Sequence, residues 1–122
     1  WITAFINGGV VGGEQALPAS VFPTLMRPRA TIPGATNRYG YGVQVGQWRG
    51  LDVVEHGGSR SGYGSIIRMV PSRKFGVVVL ANRTGVSLTQ TANAAIEAAL
   101  GPLPAAADAP TPMPAGAGAP QA

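Results

Sequence analysis

Between residues 39 and 82, apolar runs of strand length alternate with short segments built to turn. In "YGYGVQVGQW" (39 to 48), Tyr41, Val43 and Val45 recur at every second position, the period of a strand with one buried face. Arg49-Gly50 supplies a turn, and "LDVVEHGG" reads as the returning strand of a hairpin. The loop "SRSGYG" leads to "SIIRMV", Pro71 to Lys74 turn the chain again, and "FGVVVLAN" is a continuous apolar run expected to be buried on both faces. Connections this short permit only antiparallel neighbours, so the pattern predicts a meander of about four strands.

The flanks read as helical. Ser87 and Gln90 fit a capping box, and Leu88, Ala92, Ala95, Ile96 and Ala99 follow at helical spacing until Gly101-Pro102 stops the run. This predicts a C-terminal helix packed on the sheet. At the other end "WITAF" has the apolar spacing of an amphipathic helix with no start signal before it, so the chain is expected to be the C-terminal part of something longer. In "ALPASVFPTLMRPRATIPG" (16 to 34) the prolines allow a short helix from near Pro18 and prevent a long one past Pro23, with a loop to follow. The predicted fold class is α+β, an antiparallel sheet with one helix from each end of the chain. After residue 101, "PLPAAADAPTPMPAGAGAPQA" offers almost nothing to bury, and residues 102–122 are expected to form a disordered Pro/Ala-rich tail.

Composition narrows the chemistry. The net charge of +4 comes from eight Arg and one Lys spread evenly along the chain, which is not the clustered basic stripe of a nucleic-acid binder. No cysteine is present, which removes disulfides, thiolate metal sites and a cysteine nucleophile. With one His and five acidic residues, neither a metal centre nor a cofactor is implied, and no apolar run reaches the ~20 residues of a membrane span.

Polar chemistry concentrates in "VVEHGGSRSGYGSII" (53 to 67), which holds the sole histidine, His56. Taken alone, His56 reads as a polar strand end, Gly57 and Gly58 as a β-bulge or a tight loop, Tyr41, Trp48 and Tyr63 as packing aromatics, and Arg60 and Arg68 as solvated charges. Ser59, Ser61 and Ser65 have no basic partner at catalytic spacing. Asn82-Arg83-Thr84 matches a glycosylation sequon only by chance.

The ordered series from Tyr39 to Gly85, a Tyr-Gly-x-Gly strand, His-Gly-Gly, a Gly-Tyr-Gly loop, a Pro turn and a Val-Val-Val-Leu-x-Asn strand, resembles the C-terminal part of the serine β-lactamase-like hydrolases. That group includes class C β-lactamases, DD-peptidases and related esterases. The resemblance spans nearly all of residues 1–101, which would form the C-terminal part of a β-lactamase/transpeptidase-like domain. It implies cleavage of an ester, amide or lactam through an acyl-enzyme, with a small-molecule or peptide substrate.

Three motifs meet at the active site in that family: Ser-x-x-Lys, Tyr-x-Asn or Ser-x-Asn, and a Lys-Thr-Gly-like triplet on a strand. His56-Gly57-Gly58 stands at the triplet, with His in place of Lys. The other two are absent: Lys74 is the only lysine and has Pro71 three residues before it, and no Tyr or Ser stands two before an Asn. The resemblance assigns catalytic roles to His56, as donor or proton-transfer group, and to Ser59, through its backbone N–H to an oxyanion. Gly57, Gly58, Arg60 and Tyr63 would contact substrate. The chain would then need the rest of its own domain, and periplasmic or secreted relatives favour work outside the cytoplasm. The alternative is a non-catalytic module of the same fold, used for binding or scaffolding.

Overall fold

The computed structural model describes residues 1–105. Three helices, α1 (Ile2–Ile6), α2 (Val21–Met26) and α3 (Thr89–Leu100), accompany eight strands. Strands β1 (Val10–Val11) and β2 (Glu14–Gln15) form a small separate hairpin. Strands β3 (Ala30–Thr31), β4 (Arg38–Tyr39), β5 (Gln44–Trp48), β6 (Leu51–Arg60), β7 (Tyr63–Val70) and β8 (Phe75–Ala81) make one sheet in chain order, with every neighbouring pair antiparallel.

The meander therefore exceeds the four expected strands by two, both only two residues long. Two further expectations are corrected. The segment "SRSGYG" is not a loop: β6 and β7 run through it to the pair Arg60↔Tyr63 and turn on Ser61-Gly62 alone. Both turn residues have positive φ, 50° and 91°, the type I′ geometry that matches strand twist and favours glycine at the second position. Arg49-Gly50 repeats this geometry between β5 and β6, at 50° and 75°. Gly57 and Gly58 form no bulge either, because their register to Ile66 and Ser65 is unbroken.

The core sits on both faces of the lower sheet. On one face Val54, Met69 and Val45 meet Phe5 of α1 and Phe22 of α2, whose rings lie 4.6 Å apart. On the other, Val53 and Val70 pack against Ile96 of α3. Each buried valine contributes roughly 1.5–3 kcal/mol. The C-terminal helix thus stands where its periodicity put it, although it begins at Thr89 with Leu88 as the N-cap and no side-chain cap bond, so the Ser87–Gln90 capping box does not form. Pro23 falls in the first turn of α2, where its missing N–H costs nothing, and the helix continues past it to Met26.

Strand β8 departs most from its sequence pattern. Val77 packs toward the α3 side, but Val78 is 53% and Leu80 75% exposed, so the run is covered on one face only. Tyr41 lies outside β5 and is exposed, with the Arg29 guanidinium 3.9 Å from its ring centre. After α3, Arg49 donates to the carbonyls of Leu103 and Pro104 and pairs with Glu97, while Leu103 joins the lower core. The remainder of the Pro/Ala-rich segment, residues 106–122, lies outside the described residues. No described helix is long and apolar enough to cross a membrane.

Candidate active site

Strand β6 changes character at Glu55. Below it, Leu51 to Glu55 are paired to β5 on one side, and β6 is paired to β7 on the other from Val54 upward. The β5 ladder ends at Gln44↔Glu55, so from His56 to Arg60 the strand has a neighbour on the β7 side alone. The two-residue turn makes Arg60 and Tyr63 a hydrogen-bonded pair. By antiparallel alternation His56 and Gly58 also bond to β7, whereas the N–H groups of Gly57 and Ser59 point away from it, toward the open edge. Among the described residues no hydrogen bond reaches either amide. Two main-chain donors thus stand side by side on an exposed strand edge.

His56 lies on this exposed half, and its Nε2 is 2.9 Å from the Tyr39 hydroxyl, with the rings edge to face at 6.1 Å between centres. Gly57 and Gly58 carry no side chain above or below the strand, and a Cβ at either would meet only Ser65, at 3.3 Å. Backbone conformation does not demand glycine at these two positions, since neither has a positive φ. Their effect is to leave the strand surface bare on both sides next to His56.

The tip of the β6–β7 hairpin is tied down by the loop after β8. The Ser59 Oγ accepts from the Gly85 N–H at 2.7 Å, and the Thr84 Oγ1 accepts from the Gly62 N–H. The Ser59 hydroxyl is therefore occupied structurally, which leaves its backbone N–H as the group facing out. On the hairpin lies an open recess of about 340 Å³ lined by Gly58, Ser59, Arg60, Tyr63, Ser65 and Leu80. Arg60 is exposed, and Tyr63 is 68% exposed rather than packed. Of the six candidate residues, four share this recess; His56 and Gly57 adjoin it along the strand without lining it.

Behind the site lies a polar group that the sequence did not reveal. Arg68, expected as a solvated charge, is 4% exposed and forms an ion pair with Glu55, its direct partner across the β6–β7 ladder. Asn37 Nδ2 donates to the same carboxylate at 3.2 Å, and the Arg68 guanidinium lies 5.4 Å from the centre of the Trp48 ring. Burial of both charges makes this pair an anchor at the point where β6 leaves its β5 neighbour. Tyr39 is the other missed residue. Its only sequence signal is its place at the head of Tyr-Gly-x-Gly, and nothing local pairs it with a histidine 17 positions away. Among the described residues no three His, Cys, Asp or Glu side chains come together as a metal site.

Comparison with known proteins adds three findings. A family model described as Beta-lactamase matches residues 3–101. The unguisins hydrolase ungD of Aspergillus violaceofuscus is 41% identical over 77 residues, covering 63% of this chain and 12% of that protein. The octameric penicillin-binding protein homologue from Pyrococcus abyssi superposes with a TM-score of 0.69 at 25% identity, over 80% of this chain and 22% of the other. The chain thus spans about an eighth and about a fifth of the lengths of these two relatives.

Proposed function

The chain belongs to the β-lactamase family, and on that premise we propose that it forms one wall of the acyl-transfer site of a serine hydrolase acting on an ester, amide or lactam. The observation that carries this reading is the unpaired edge of β6, where the Gly57 and Ser59 N–H groups stand beside His56. Acyl transfer develops negative charge on a carbonyl oxygen, and fixed N–H donors on a strand edge stabilise that charge without reorganising. Ser59 N–H is the oxyanion donor in this reading. His56 offers a hydrogen bond to the reacting or leaving group, and Gly57 and Gly58 let the acyl group lie flush on the strand. Arg60 and Tyr63, with Leu80, hold the substrate's far end in the recess.

The nucleophilic Ser and its Lys come from outside these 122 residues. Lys74 does not follow a serine at the required spacing, and the candidate serines 59, 61 and 65 have no basic partner. That one relative is named a hydrolase supports hydrolysis over synthesis or simple binding.

Activity assays on the complete protein and on the isolated chain test the proposal. The complete protein is expected to turn over nitrocefin or a p-nitrophenyl ester and to gain the mass of an acyl group, and the 122-residue chain to do neither. Turnover by the isolated chain would place the nucleophile within it and overturn the proposal. A complete protein that binds such substrates with no acyl-enzyme detectable by mass spectrometry would overturn it in favour of a binding module.

A further inference from the structure

We infer that Tyr39 is a positioning residue for His56: its phenolic O–H donates to Nε2, holds the neutral ring as the Nδ1–H tautomer, and leaves Nδ1–H as the group presented to substrate. The inference deepens the proposed function and rests on that reading for the identity of the site. Its geometry stands independently. The Tyr39 hydroxyl is 2.9 Å from Nε2, and among the described residues no hydrogen bond is made by Nδ1.

The phenol is the fixed partner. The Tyr39 carbonyl accepts from the Arg29 N–H at 2.8 Å, Gly40 N–H donates to Val43 O at 2.8 Å, and Tyr41 N–H donates to Leu25 O at 2.9 Å, which ties this stretch to the chain around α2. Tyr39 is half-buried, whereas His56 is exposed and sits on a strand held from one side. A ring on such a strand would otherwise sample several orientations.

The direction of the bond follows from chemistry. A phenol is a good O–H donor, and the unprotonated nitrogen of a neutral imidazole is a strong acceptor. A carboxylate beside His56 would instead favour imidazolium, but every acidic side chain with a described partner is engaged elsewhere. Glu55 faces the other side of β6 and holds Arg68 and Asn37, Asp52 accepts from Gln47, and Glu97 pairs with Arg49. Glu14 lies on the separate β1–β2 hairpin. With Nε2 occupied, His56 is a hydrogen-bond donor in the site and not its general base. This matches the chemistry of the lysine it replaces in the triplet, which also only donates when charged.

Because the chain has a single histidine, its imidazole nitrogens can be observed without ambiguity. Long-range ¹H–¹⁵N spectra of the ¹⁵N-labelled chain, recorded near pH 8.5, about two units above the ordinary imidazole pKa, are expected to show a protonated Nδ1 and a bare Nε2. Tyr39→Phe, which keeps the ring and its packing, should shift the population toward Nε2–H while leaving the amide dispersion intact. A wild-type ring that is mainly Nε2–H, or a tautomer unchanged by Tyr39→Phe, overturns the inference.

In the complete protein Tyr39→Phe is expected to lower kcat/KM about tenfold, His56→Ala to lower it further, and the double variant to equal His56→Ala, as for a residue acting only through another. Additive losses would assign Tyr39 an independent role and contradict the inference. A complete protein that forms no acyl-enzyme, yet retains the Nδ1–H ring, would defeat the functional reading and leave the positioning in place.

Discussion

The two halves of β6 are one strand with the same β7 neighbour, yet they do different work. Leu51 to Glu55 are paired to β5, and Val54 and Glu55 to β7 as well, with Val53 facing α3 and Val54 facing α1 and α2. His56 to Arg60 are all exposed and are paired on one side only. The lower half is held by burial, and the upper half projects from it with its main-chain donors free. Rigidity is supplied at the base and by the loop contact at Ser59 Oγ, so the presenting segment needs no core of its own. A site built on a strand anchored in this way keeps its donors in fixed register.

Substitutions on the two halves should separate these roles. The largest effect is expected from Val54→Asp, which places a charge at a position 1% exposed, between the helices and the sheet. A cost above about 4 kcal/mol should abolish the cooperative thermal transition. Next comes Arg68→Met, which leaves the Glu55 carboxylate buried without its cation and should cost about 3–5 kcal/mol by denaturant titration. Adding Glu55→Gln should recover most of that loss, because no orphan charge remains. Smallest is His56→Ala on the exposed half, expected within about 0.5 kcal/mol of wild type. A loss at His56 comparable to that at Arg68 would erase the distinction between the halves.

The lower half was largely legible in the sequence, because the apolar run through Val53 and Val54, the Arg49-Gly50 turn before it and the apolar spacing of α3 are local signals. The upper half was legible mainly as a family pattern. Glu55 with Arg68, and Tyr39 with His56, are 13 and 17 residues apart and meet only once strand register is set. Arg68 read as a surface charge because arginine is rarely buried without a partner, and no composition rule reveals that Glu55 pairs with it across the ladder or that Trp48 and Asn37 close over the pair. In β8 the run "VVVL" reads as buried twice over, but a helix covers one face and the alternate residues Val78 and Leu80 remain open. The Ser87–Gln90 signal failed because the helix starts at Thr89, inside the box that pattern implied.

Amide hydrogen exchange along β6 tests the account most directly, since it reads the donors themselves. Val53, Val54 and Glu55 are expected to exchange slowly, Gly58 and Arg60 at intermediate rates through their bonds to β7, and Gly57 and Ser59 fastest of all. This alternation would establish that the outward amides on either side of Gly58 are free on the strand edge. Protection of Gly57 and Ser59 equal to that of Val53 and Val54 would mean the edge is already paired, and the acyl-transfer wall proposed for it would not exist.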